Sequence, residues 1–178
     1  MRLLMAFVTL LFPISELSAS SPMEYAEKKS LYSKAHDSPR EYFVHLPESY
    51  QSNKQKKYPV LYVLHGQTSM LGAVASIEAI SDELPELIVV GVQSGGIETL
   101  PVLLEDGENN NKGQAFRSFL LNELVPHIQQ SYRTADFSIL LGHSGSGRFV
   151  LNSLLDDPGQ FNAYLASSPS IDDNLINN

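Results

Sequence analysis

No cysteine occurs in the 178 residues, which rules out a disulfide framework, a thiolate-held metal and a cysteine nucleophile. Positive charge is scarce as well: twelve Lys and Arg stand against twenty Asp and Glu, a formal net charge of −8 at pH 7. That balance argues against a nucleic-acid partner, because phosphate binding requires a basic face. The lysines of "NKQKKYP" (Asn53–Pro59) read as a solvated loop ahead of an apolar strand. There is no internal repeat, and only "NNNK" near residue 110 approaches low complexity. The apolar run Leu3–Ile14 is too short to span a bilayer, which takes about 20 residues. The absence with the largest consequence concerns histidine: none follows His143.

What is present begins with a distinct leader. "MRLLMAFVTLLFPISELSAS" has a basic start at Arg2, a short apolar core, and small residues at Ser18 and Ser20. These are the features of a secretory signal peptide cleaved after Ser20. The expected organisation is therefore a signal over 1–20 and one domain over 21–178. The expected location is secreted or periplasmic, with no membrane attachment after cleavage.

The rest of the chain alternates between two kinds of pattern. "YPVLYVLHG" (Tyr58–Gly66), "ELIVVGVQ" (Glu86–Gln93) and "FSILLG" (Phe137–Gly142) are unbroken apolar runs, as expected of strands buried on both faces. Between them, Ser69–Leu84 and Gln114–Arg133 carry apolar residues at helical spacing, with Pro126 expected to bend or divide the second helix. A strand within Ser38–Tyr50, a helix over Gly147–Asp157 and a last strand over Phe161–Ser170 complete the reading. Gln93–Gly113 reads as a loop. The alternation predicts an α/β fold with a mainly parallel sheet flanked by helices.

In such a sheet, reacting groups collect at the carboxyl ends of the strands. "SILLGHSGSGRFVLNSLL" (Ser138–Leu155) sets Ser144 on a sharp turn between a buried strand and an amphipathic helix. A serine so placed adopts strained backbone angles, and its neighbours two residues away must be small. Gly142 meets that demand on one side. On the other, Ser146 stands where glycine is usual, with Gly147 beyond it, so the pattern is G-x-S-x-S. The turn aims the N–H of Gly145 and the start of the next helix at the space above Ser144, where an oxyanion could be held. A second donor is expected from Gly66 or Gln67, which leave the neighbouring strand.

These segments, with "REYFVHLPESY", "FLLNELVPHIQQSYRT" and "LLDDPGQFNAYLASSPS", resemble the esterase branch of the α/β-hydrolases in order and spacing. That branch includes enterochelin (siderophore) esterases and S-formylglutathione hydrolases. The resemblance runs from about Arg40 to Ser170. It implies an α/β-hydrolase sheet, hydrolysis of a small-molecule ester or thioester, and no metal or organic cofactor. It also implies Ser144 as nucleophile, and Gly145 with the loop after Gly66 as oxyanion donors. The departures are Ser146 and the loop after "VVGV", which bears on substrate choice.

The triad of these hydrolases runs Ser, then Asp or Glu, then His along the chain. After Ser144 the only acids are Asp156, Asp157, Asp172 and Asp173. The first two end a helix and the second two come too early. Upstream, His143 is expected to point away from the reacting face, His127 lies on an apolar helix face, and His36 and His45 fall in a polar leader and on an outer strand. His65 opens the oxyanion loop and reads as structural. The leading expectation is therefore the N-terminal portion of a longer serine esterase, with the sheet ending at a strand left on its edge and open to self-association. Two alternatives stand beside it: a binding protein that keeps the cleft without the chemistry, or a chain completed by a partner that supplies the base.

Overall fold

A computed structural model describes residues 25–94 and 111–170 of the chain. The signal expected over 1–20, most of the loop after Gln93, and Asp172 and Asp173 lie outside the described residues. The described part is a six-stranded sheet with helices on both faces. Its strands are β1 (Glu27–Ser33), β2 (Ser38–His45), β3 (Tyr58–Leu64), β4 (Ile88–Val92), β5 (Thr134–His143) and β6 (Ala163–Ser167). They lie in the order β1-β2-β4-β3-β5-β6. Pairing is antiparallel for β1–β2 and β2–β4 and parallel for β4–β3, β3–β5 and β5–β6.

The apolar runs become the centre of the sheet, as expected. Every residue of β4 is buried, as is every residue of β3 except Pro59. The helix after β3 is α2 (Gly66–Ala79), which follows a four-residue helix α1 (Ser49–Ser52). It crosses β4 at close range: a Cβ on Gly66 would lie 2.3 Å from the carbonyl carbon of Gly91, and one on Gly91 would lie 2.7 Å from the sulfur of Met70. Only glycines allow that approach.

The helix expected over Gln114–Arg133 has three parts. It starts as α3 (Asn111–Ser118), widens into a π-helical stretch over Phe119–Leu124, and ends as α4 (Val125–Ser131). Pro126 sits at the start of α4. A proline inside a helix lacks the N–H for an i→i−4 bond and its ring crowds the carbonyl at i−4. The wider winding absorbs both problems, and the Val125 N–H donates to the carbonyl of Leu120, five residues back. The helix after β5 is α5 (Gly145–Asp156), which starts two residues earlier than its sequence suggested.

One element was not foreseen. The polar stretch around His36 contains β1 and forms a hairpin with β2, closed by Ser33 opposite Ser38. His36 lies in that turn: its backbone N–H donates to Ser33 Oγ at 3.1 Å, and its ring meets Phe119 edge-on at 5.9 Å. β2 is consequently paired on both sides and is not an outer strand.

The two faces of the sheet are packed unequally. One carries α3, the π stretch, α4 and α5, and a cluster of nineteen buried apolar residues that includes Tyr58, Tyr62, Phe119, Leu124, Leu140 and Val150. The other is covered by α2, and its cluster among the described residues has six members: Leu61, Val63, Met70, Val74, Leu87 and Val89.

Candidate active site

The strands β3 and β5 are parallel neighbours, with Val63 opposite Leu141. Their carboxyl ends therefore release two loops side by side on one rim, His65–Gln67 and His143–Gly145. The structure places Ser144, Gly145, Gly66 and Gln67 at that rim.

Ser144 has φ 56° and ψ −120°. A non-glycine residue with positive φ costs about 1–3 kcal/mol and persists only when its surroundings impose it. Three backbone hydrogen bonds do so here: the Ser144 N–H donates to Ser167 at 3.0 Å, while its carbonyl accepts from Arg148 and Ser170, each at 3.1 Å. The side chain projects into solvent, and its hydroxyl lies 3.4 Å from Ser170 Oγ.

The small residues of the turn each have a physical reason. A Cβ on Gly142 would lie 2.3 Å from the Ser146 carbonyl oxygen, and one on Gly147 would lie 3.0 Å from the carbonyl oxygen of Ser167. Ser146, the departure from the usual pattern, is buried, and its hydroxyl folds back onto the strand end. It accepts from the His143 N–H at 3.0 Å and donates to the His143 carbonyl at 2.9 Å. The hydroxyl thus ties the start of α5 to the end of β5. A glycine there would leave the turn without that brace.

Gly145 begins α5, where the first four N–H groups lack intrahelical partners and the helix dipole is positive. On the neighbouring loop, His65 has φ 57° and ψ 42° and caps α2. Its carbonyl accepts from the N–H groups of Thr68 and Ser69, both at 2.9 Å. The Gln67 side chain donates to the Ser94 carbonyl at 3.1 Å, which anchors the loop to the end of β4. Both loops therefore present early helical N–H groups at the rim beside an exposed serine.

None of the five histidines hydrogen-bonds to Ser144. His143 sits 3.3 Å from Ser167 Oγ. His127 meets the Tyr42 hydroxyl at 3.0 Å, and His45 meets the Tyr25 carbonyl at 2.7 Å. His65 has a buried Nε2 without a partner, and burial lowers its pKa, so its ring is neutral at pH 7. Of the acids, Asp156 pairs with Arg117 at 2.6 Å and Asp157 ends α5. Among the described residues no group of three or more His, Asp or Glu could hold a metal, and no helix is long and apolar enough to cross a membrane.

A mostly parallel sheet of this order, flanked by helices and carrying a serine on a strained strand-to-helix turn, is the architecture of the α/β-hydrolase type. Within that class, residues 33–175 match the family described as "Putative esterase", and the chain belongs to it. Among curated proteins it is similar to the ferri-bacillibactin esterase BesA of Bacillus subtilis (strain 168). The two are 29% identical over a 140-residue alignment that covers 64% of this chain and 48% of that protein. Among solved structures it is similar to an IroE-like serine hydrolase from Shewanella oneidensis, with a TM-score of 0.70 and 27% identity over 82% of this chain and 51% of that one. A ferulic acid esterase gives a TM-score of 0.65 and 29% identity over 81% and 58%. The chain thus spans about half the length of the relatives it matches.

Proposed function

We propose that this chain carries the nucleophile of a carboxylic ester hydrolase that works through an acyl-enzyme. The observation that carries the reading is the backbone of Ser144, held at φ 56° with its hydroxyl exposed at the rim. Strain of this kind is maintained where a side chain must be presented. Ser144 Oγ attacks the ester carbonyl carbon and gives its proton to a base. The N–H of Gly145, with that of Gln67 or Gly66, holds the oxyanion. The alcohol or thiol departs with a proton from the same base, and water then releases the acid.

A serine hydroxyl needs that base to be a strong nucleophile. The base and its orienting acid come from outside the described residues, downstream of Ser144 in the order such hydrolases follow. The substrate is a small-molecule ester or thioester, and the family and the siderophore esterase among the relatives support that class. The leader over 1–20 supports export to the periplasm or exterior.

A second reading is a binding protein that keeps the cleft without the chemistry. It is favoured by the neighbour of the Ser144 hydroxyl, which is Ser170 and not an imidazole. A fluorophosphonate probe followed by peptide mass spectrometry separates the two. The first reading expects a phosphonyl adduct on Ser144, slow without the base but faster than at any other serine, and its loss in Ser144→Ala. Labelling spread equally over the exposed serines sinks that reading in favour of the second.

A further inference from the structure

The end of the sheet opposite Ser144 holds a cavity of about 120 Å³. It lies where the carboxyl half of α2 meets the end of β2 and the amino end of β4. Val74, Ile77, Leu87 and Val89 give it apolar walls, and His45, Glu48 and Glu78 line it as well. Such a volume admits about eight water-sized groups. The rim that carries Ser144 is at the other end of these strands, so the cavity is separate from the candidate active site.

The polar atoms at this cavity call for a donor. His45 Nδ1 lies 2.7 Å from the Tyr25 carbonyl oxygen. A carbonyl only accepts, so Nδ1 carries the ring hydrogen, and Nε2 of the neutral ring is a lone pair. Its neighbour is Glu78 Oε1 at 3.7 Å, beyond hydrogen-bonding distance and itself an acceptor. Two acceptors thus face each other across a gap that a donor would close. Glu86, which also lines the cavity, has its own cation in Lys56. Among the described residues, no lysine or arginine pairs with Glu48 or Glu78. α2 ends here too, without a basic residue in its last turn. The carboxyl end of a helix carries partial negative charge that favours a cation.

The ligand that fits is a cation with several hydrogen-bond donors and an apolar tail. A metal ion matches poorly, because among the described residues no group of three or more His, Asp or Glu could hold one. A primary ammonium carries three N–H donors. We propose that the cavity binds a small primary alkylammonium, its head bridging His45 Nε2 and Glu78 and its tail lying on Val74, Ile77, Leu87 and Val89. The volume takes a tail of about four or five carbons besides the head. The same head and tail occur in a lysine side chain, and the test separates the two sources. The inference goes beyond the esterase reading and holds whether or not Ser144 reacts.

The test titrates the full 178-residue chain with n-pentylamine by calorimetry at pH 8, where an alkylamine is still protonated. Saturable 1:1 binding is expected, with a Kd of about 1 mM or tighter. Glu78→Gln, at an exposed position that the fold can spare, should weaken binding about fivefold or more. Ser81→Phe, also exposed and at the lining, should block the cavity. Glu83→Gln changes an exposed acid outside the lining and should leave binding as it was. Ser144→Ala should leave it unchanged as well. Absence of saturation overturns the proposal, as does binding indifferent to Glu78→Gln and Ser81→Phe. Equal binding of n-pentanol overturns it in favour of an apolar hole that ignores charge. Tighter binding of Nα-acetyl-lysine methylamide overturns the free amine in favour of a lysine side chain. Binding lost in Ser144→Ala would put the amine at the rim and overturn the separate site, whereas failure of the esterase reading would leave the titration untouched.

Discussion

The two faces of this sheet solve the same packing problem to different degrees. On one, four helical segments meet the strands and bury aromatic and aliphatic side chains completely, with Tyr58, Phe119, Leu124 and Leu140 all at 0% exposure. On the other, α2 is the one helix over β4 and part of β3 among the described residues, and Leu165 stands half in water. Each buried leucine or phenylalanine contributes about 1.5–3 kcal/mol relative to its exposed state. The well-covered face therefore supplies most of the hydrophobic stabilisation. The difference also teaches where the site gets its rigidity. Ser144 is held by α5, by the last residue of β6 and by Ser170, and α5 belongs to the well-packed side.

The largest expected effect breaks the strong face. Phe119→Ala removes a fully buried ring from the π-helical stretch, and aromatic-to-alanine changes in cores cost about 3–5 kcal/mol. Denaturant unfolding should register a loss of that size. A loss under about 1 kcal/mol would mean that the π stretch does not pack on the sheet as described.

Next come the substitutions in the turn that joins the faces. Ser146→Gly deletes a hydroxyl that satisfies both the N–H and the carbonyl of His143. A net loss of about 1–2 kcal/mol is expected, near the value of one or two such bonds. Ser144→Gly should go the other way and stabilise by about 1 kcal/mol, because glycine takes positive φ without strain. If thermal unfolding showed Ser144→Gly to be the less stable protein, the turn would not be strained.

Much of this organisation is legible before any coordinates. β3 and β4 stand out because strands buried on both faces are unbroken apolar runs, β5 stands out as an apolar run although only Leu140 and Gly142 of it are buried, and Ser144 stands out because a tight turn demands small neighbours. β1 escapes for the opposite reason. It lies at the edge of the sheet, carries Lys28 and Lys29, and shows water most of its side chains, so its sequence looks like a loop. The π-helical widening is also invisible to periodicity, although Pro126 marks where the regular helix must yield. At the site, the spacing G-x-S-x-S signals a departure but not its remedy. The Ser146 hydroxyl bonds to backbone three residues earlier, a contact that no pattern of residue types encodes. The positive φ of His65 is hidden for the same reason, since it depends on how α2 starts against β4.

A smaller effect, at the amino end of β4, is read through pH. Glu86 is bound by the Lys56 ammonium and by the hydroxyl and N–H of Ser49, and these lower its pKa from 4.5 to about 2. Its carboxylate therefore adds stability at pH values above 4.5, and that contribution fades as pH falls from 4.5 towards 2. The pair is partly exposed, with side-chain exposures of 40% and 32%, so solvent screens it and the effect is modest. Glu86→Gln should lower the melting temperature at pH 6 and flatten its decline between pH 5 and pH 3. An unchanged slope in that window would assign the acid sensitivity to other carboxylates.

The smallest expected effect is on the open face, and its smallness is the informative result. Leu165→Lys replaces a half-exposed leucine beside an apolar groove. A lysine there keeps its methylenes on the apolar wall and its ammonium in water. Exposed substitutions of this kind fall within about 0.5 kcal/mol. Phe119→Ala and Leu165→Lys thus form a pair of changes on opposite faces whose costs should differ by several kcal/mol. If Leu165→Lys instead destabilised the isolated chain by 2 kcal/mol or more, Leu165 would already be packed against something in solution. Sedimentation of the wild-type chain would then identify that cover as a second copy or as part of the same molecule.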